Sequence, residues 1–266
     1  MQPILVADLF APLNDELLRL LRGLKAEEWN ARAVGTWTVK DVAAHLLDTT
    51  LKRLSAHRDH YSPPFSGANG LANIINEMNS HWVSAVRRIS PRILVELLDR
   101  YGAEMAQHMT SLDPYVHSEW AVSWAGEDSS PNWFDTAREL TEKWHHQQQI
   151  RDAVQRPPLY ELRFFKPVID TFMRGLPHAY RNVNAADGTT IAFDVRDVMS
   201  CSLTRQGGAW SLDGKRTGAT SIAMTGDTAW RLFTKGLPRD EARRRSEIAG
   251  DATLAEPLFS MLAIVA

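Results

Sequence analysis

Along the first 156 residues, apolar side chains recur at the three- and four-residue spacing of a helix that buries one face. Leu5, Leu9, Leu13, Leu17, Leu20, Leu21 and Leu24 form one such stripe and predict a helix over 5–24. Thr38 is an N-cap residue with Asp41 as its acidic partner three positions on, and it opens a second helix through Val42, His45, Leu46 and Leu51 toward His57. Turn residues from Ser62-Pro63-Pro64 to Gly70 predict a loop. A shorter helix follows over 72–89. Ser90-Pro91 starts the next, since Ser caps and Pro suits a first turn; it carries Ile93, Leu94, Leu97, Leu98, Tyr101 and Met105 and stops at Leu112-Asp113-Pro114. Ser130-Pro131 repeats that opening for a helix over 132–155. Four long helices with a crossover between the second and third predict a four-helix bundle.

Arg156-Pro157-Pro158 ends the last helix, and the pattern then changes to that of a small α+β domain. The expected division is a bundle over 1–156 and an α+β domain over 157–266. A helix is expected over 165–175. Runs of strand character over 190–195, 198–204, 209–212 and 221–225 are separated by the turn pairs Asp187-Gly188, Gly207-Gly208 and Asp213-Gly214. Segments 227–233 and 254–262 read as helices again.

Composition narrows the class. A hydrophobic content of 44% with 23% charged residues is that of a globular chain. The net charge of −2 leaves no basic footprint for nucleic acid. The N-terminus meets acidic Asp8 at once, which is not a secretory signal, and the longest apolar stretch, over 258–266, falls short of a membrane span. These features predict a cytoplasmic protein, monomer or homodimer, with no nucleic-acid or membrane partner. The single cysteine, Cys201, excludes a disulfide framework and a cysteine-based zinc site; in its strand-like run it reads as core rather than nucleophile.

The strongest chemical signal is Glu142-Lys143-Trp144-His145-His146. Glu142 and His146 stand at i and i+4, so a carboxylate and an imidazole leave one helix face side by side. Both can bind one divalent cation, and a third ligand must come from another helix. His45, set among Val42, Ala43, Ala44, Leu46 and Leu47, is the candidate. The pattern alone leaves two readings of it: a core histidine satisfied by a hydrogen bond, or a ligand. His145 has Thr141 and Gln149 one turn away, both poor ligands, and reads as a packing or supporting residue. His57 and His60 are too far along their helix to share a metal with His45. His81, His108, His117 and His178 have no paired ligand at useful spacing. The run Arg239, Arg243, Arg244, Arg245 reads as a solvated face. No His-Glu-x-x-His, phosphate-binding loop or Gly-x-Ser-x-Gly elbow occurs.

The segment Trp37-Thr38-Val39-Lys40-Asp41-Val42-Ala43-Ala44-His45-Leu46 resembles the second-helix signature of the DinB-like superfamily, and more closely the bacterial mycothiol-dependent maleylpyruvate isomerase family. The Glu-x-x-x-His step at Glu142 and His146 is similar to that branch. Trp210-Ser211-Leu212 and Gly226-Asp227-Thr228 resemble the sterol-carrier-like domain that accompanies the bundle. The resemblance implies a zinc site at His45, Glu142 and His146, with nickel or iron as other occupants of such a ligand set. It implies mycothiol, or another low-molecular-weight thiol, as co-substrate, and a catalytic arginine in the second domain, for which Arg231 is the candidate. Two neutral imidazoles and one carboxylate leave one positive charge of Zn²⁺ uncompensated, and a thiolate as fourth ligand balances it. Gln149 departs from the acidic residue many relatives carry there.

The expected function is therefore a metal- and thiol-dependent transferase or isomerase acting on a small electrophilic substrate. Two alternatives stay open. One is a hydrolase using metal-bound water on the same bundle; the other is a non-enzymatic protein that binds a small ligand or lipid and holds a structural metal.

Overall fold

The computed structural model describes residues 2–62, 71–214 and 217–264. The loop expected over 62–70 lies, beyond Ser62, outside the described residues. The chain forms two compact units. A helical unit comprises residues 5–119 and 139–160, and a sheet unit comprises Trp120–Arg138 and Glu161–Ile264 together with residues 2–4.

In the helical unit, α1 (Phe10–Arg22) buries Leu13, Leu17, Leu20 and Leu21 along the stripe seen in the sequence, after a 3-10 turn over Ala7–Leu9. A two-stranded ribbon, β1 (Arg32–Val34) with β2 (Trp37–Thr38), leads directly into α2 (Val39–Arg53). Thr38 Oγ1 accepts the Asp41 N–H while an Asp41 carboxylate oxygen accepts the Thr38 N–H, which makes the expected cap a full capping box. A π turn over Leu54–Arg58 continues the helix. Next come α3 (Leu71–Val86) and α4 (Pro91–Ser111), the latter capped by Ser90 Oγ with Pro91 in its first turn. The core of the unit is built from Leu17 and Leu21 of α1, Val42, Leu46 and Leu47 of α2, Leu94 and Leu98 of α4, and Ile150 and Val154 of the last helical stretch.

Helix α5 (Asn132–Ala153) contributes residues 132–138 to the sheet unit and 139–153 to the helical unit. Its opening differs from that of α4. Ser130 Oγ accepts the Val122 N–H at 3.0 Å, and the helix begins at Asn132.

In the sheet unit, α6 (Leu162–Met173) and the single turn α7 (Leu176–Ala179) precede the strands. They are β3 (Thr190–Arg196), β4 (Met199–Gln206), β5 (Ala209–Asp213) and β6 (Thr220–Thr225). Then follow α8 (Gly226–Phe233), α9 (Arg239–Arg244), β7 (Glu247–Ala249) and α10 (Glu256–Ser260). The strand order is β5-β4-β3-β6-β7, with β3 parallel to β6 and the other pairs antiparallel. Phe193 sits opposite Cys201 on one side and Ile222 on the other, so alternate residues of the central strands put Ile191, Phe193, Val195, Ile222 and Met224 into the core. Phe164, Phe165, Val168, Ile169 and Phe172 of α6 are buried with them. The expected helix over 254–262 is shorter: a 3-10 turn over Ala252–Ala255 comes first, and α10 ends at Ser260. The architecture is the expected one, a helical N-terminal domain followed by a small α+β domain.

Candidate metal centre

Helix α2 is enclosed on nearly every side. Its polar residues Asp41, His45, Asp48, Thr50 and Arg53 are buried with the apolar ones, and buried polar groups need partners. Asp41 takes two hydrogen bonds from the Arg87 guanidinium, at 2.9 and 3.0 Å, besides its capping role. Burial pushes the Asp41 carboxyl up, but Arg87 and Thr38 overcome it and hold it below the usual carboxylate range. One turn on, Trp82 Nε1 donates to the Ala44 carbonyl at 2.8 Å. The backbone carrying His45 is thus fixed from both sides, and the Trp37 ring packs 5.2 Å from the imidazole.

Helix α5 brings Glu142 and His146 to meet it. His146 Nε2 lies 3.1 Å from Glu142 Oε1, and His45 Nε2 lies 3.7 Å from the same oxygen. The His45 and His146 rings stand 4.7 Å apart at 78°. One ligand atom from each of the three residues falls within 4.8 Å of the others. No other group of three or more His, Cys, Asp or Glu side chains converges in this way among the described residues. A tetrahedral cation with bonds of about 2.1 Å spaces its ligand atoms about 3.4 Å apart. The 3.1 and 3.7 Å separations to Glu142 bracket that edge, and the third is no longer than 4.8 Å, so the donor types suit a small divalent cation such as zinc once the two imidazoles draw in on it. His45 and His146 are 6% and 8% exposed, while the Glu142 side chain keeps 27% of its surface open, so one side of the cluster is accessible.

The protonation states suit a cation. Burial lowers the His45 pKa, and the facing Glu142 carboxylate pulls it only partly back. Burial would raise the Glu142 carboxyl, but His145, His146 and His45 together hold it well below its usual value. Near pH 7 the His45 ring is neutral and Glu142 is ionised, the forms that bind metal. His145 is buried beside them, its ring 4.0 Å from that of His146. Its Nδ1 donates to the Thr141 carbonyl at 3.3 Å, and burial, with the adjacent His146, pushes its pKa down to about 3. Gln149, at the position where many relatives carry an acidic residue, places its Oε1 2.8 Å from His146 Nδ1.

The other candidates belong to other elements. Arg231 sits in α8 of the sheet unit, its Nε bonded to Asp227 at 2.9 Å and its guanidinium 4.4 Å above the Trp230 ring. Cys201 is buried in β4 and pushed up to about 12 by burial, which makes it a poor nucleophile. Arg239 and Arg243 pair with Glu256, and Arg244 and Arg245 with Glu241, on the solvated face expected of them. His57 Nδ1 and His108 Nε2 approach to 2.9 Å between the π turn and α4, a contact that sequence spacing does not show. Among the described residues, no helix is long and apolar enough to cross a membrane.

A family model described as the mycothiol maleylpyruvate isomerase N-terminal domain matches residues 10–151, more than half of the chain. The chain belongs to that family. A solved mycothiol-dependent maleylpyruvate isomerase superposes on this family member with a TM-score of 0.53 at 10% identity, over 85% of this chain and 86% of that one. A histidine-to-alanine mutant of the isomerase gives 0.52 at 10% identity over the same shares. At that identity the likeness establishes a common fold, which extends over both units of this family member. No curated protein matches the chain.

Proposed function

We propose that this member of the mycothiol maleylpyruvate isomerase family is a metal-dependent enzyme that uses a low-molecular-weight thiol, mycothiol or a close analogue, to isomerise or transfer onto a small electrophilic substrate. The observation that carries the proposal is the convergence of His45, Glu142 and His146, three donors of the right type within 4.8 Å of one another in a partly open, otherwise buried cluster. Three protein ligands leave a fourth position for an exogenous group, as in catalytic rather than structural zinc sites. His45, Glu142 and His146 would hold a divalent cation, zinc by ligand preference, which when bound would lower the pKa of a coordinating thiol toward neutral pH.

The chain's own residues do the rest. Asp41, Arg87 and Trp82 fix the turn that carries His45. Glu142 supplies the only negative charge of the ligand set, so the bound cation keeps an attraction for an anionic fourth ligand. Buried Cys201 offers no competing nucleophile, consistent with a thiol brought from outside. Arg231 of the sheet unit is the proposed catalytic arginine.

Maleylpyruvate isomerisation tests the reading, assayed with and without mycothiol. We expect turnover that needs the thiol and disappears in Glu142→Ala. Undiminished turnover without any thiol would instead establish the alternative in which metal-bound water is the nucleophile.

A further inference from the structure

We propose that Gln149 is the positioning residue that selects the tautomer of His146 and so aims its lone pair at the metal; this rests on the metal reading above. Gln149 lies three residues beyond His146 on α5, and its Oε1 stands 2.8 Å from His146 Nδ1. A carboxamide oxygen only accepts, so Nδ1 carries the proton and Nε2 keeps the lone pair. Nε2 is the atom that faces Glu142 Oε1 at 3.1 Å, so with Nδ1 as the donor to Gln149 a lone pair on Nε2 is aimed at the place a cation shared with Glu142 would take. His145 cannot serve this purpose, because its Nδ1 is engaged with the Thr141 carbonyl of its own helix. His45 has no equivalent support: its Nδ1 is buried without a hydrogen-bond partner among the described residues. Among the described residues, then, Nδ1 is held by a hydrogen bond in His146 and not in His45.

The choice of an amide has a chemical consequence. A carboxylate at the same place would add a negative charge behind the imidazole and make the ring a more basic ligand. The neutral amide orients the ring equally well and leaves the positive charge of the cation uncompensated, which favours an anionic fourth ligand.

Two variants separate the acceptor from its charge. Gln149→Met keeps length and removes the acceptor; Gln149→Glu keeps the acceptor and adds charge. Gln149 is part-exposed, so neither opens the core. Zinc affinity is read by chelator competition, and the imidazole Nδ1–H of His146 by proton NMR of the zinc-loaded protein. We expect Q149M to weaken zinc binding about 10- to 100-fold and to lose the slowly exchanging Nδ1–H signal, while Q149E retains both. Wild-type zinc affinity and an unchanged signal in Q149M would overturn the assignment, as would equal losses in Q149M and Q149E. Failure of the wild-type protein to take up zinc is a different result, which overturns the metal reading itself.

Discussion

Asp41, 2% exposed and four residues before His45, is tied at once to the start of its own helix and to Arg87 beyond α3. Replacing it removes the reciprocal half of the capping box and the anchor between α2 and the end of α3. Arg87 is 57% exposed, so the ion pair itself is screened and the cap dominates the loss. Asp41→Ala should therefore cost about 1–2 kcal/mol in urea unfolding and weaken metal uptake at His45 without abolishing it. The pH dependence of stability belongs to the same scale. His145 titrates at about 3 and His45 is also lowered, both by burial first, so these rings stay neutral in the fold while the unfolded chain protonates them from about pH 6.5 downward. Glu142, held well below its usual value, adds stability above the carboxylate range and loses it as pH falls through its folded value. All three linkages have one sign: the unfolded chain binds more protons in acid. The urea midpoint of the metal-free protein should be lower at about pH 5 than at about pH 7.5; an equal or higher midpoint at pH 5 would mean that the histidines are not buried as neutral rings.

At the scale of elements, local signals were legible and long-range ones were not. Thr38 and Ser90-Pro91 announce α2 and α4 because a cap is a contact between residues three apart. The i, i+4 step from Glu142 to His146 is legible for the same reason. The clamp of Arg87 on Asp41 spans 46 positions and the His57–His108 contact 51, and nothing local encodes either. The ribbon β1–β2 and the three-residue strand β7 are too short to show a period of two, so alternation could not reveal them. Ser130 shows that a good local signal can be spent elsewhere, since its hydroxyl serves Val122. Gly226, at the start of α8, has a reason that appears only in three dimensions: a Cβ there would come within 2.4 Å of the Phe165 ring on α6. Gly226→Ala should thus destabilise the sheet unit by about 1–3 kcal/mol through overpacking, although alanine is the better helix former. A higher melting temperature for the variant would contradict that close approach.

At the scale of the molecule, the three candidate ligands come from two helices, separated by nearly a hundred residues, that meet within one compact unit. Family membership and a fold shared over 85% of the chain say what kind of enzyme to look for; the converging donors say where a metal would bind. The central claim is the metal itself. Its direct measurement is metal content by plasma mass spectrometry on untagged protein beside His45→Ala, Glu142→Ala and His146→Ala. The account predicts about one zinc per chain in the wild type and loss in each variant, with folding retained. Absence of stoichiometric metal in the wild type, or its retention in the variants, would contradict it and return the three residues to core packing.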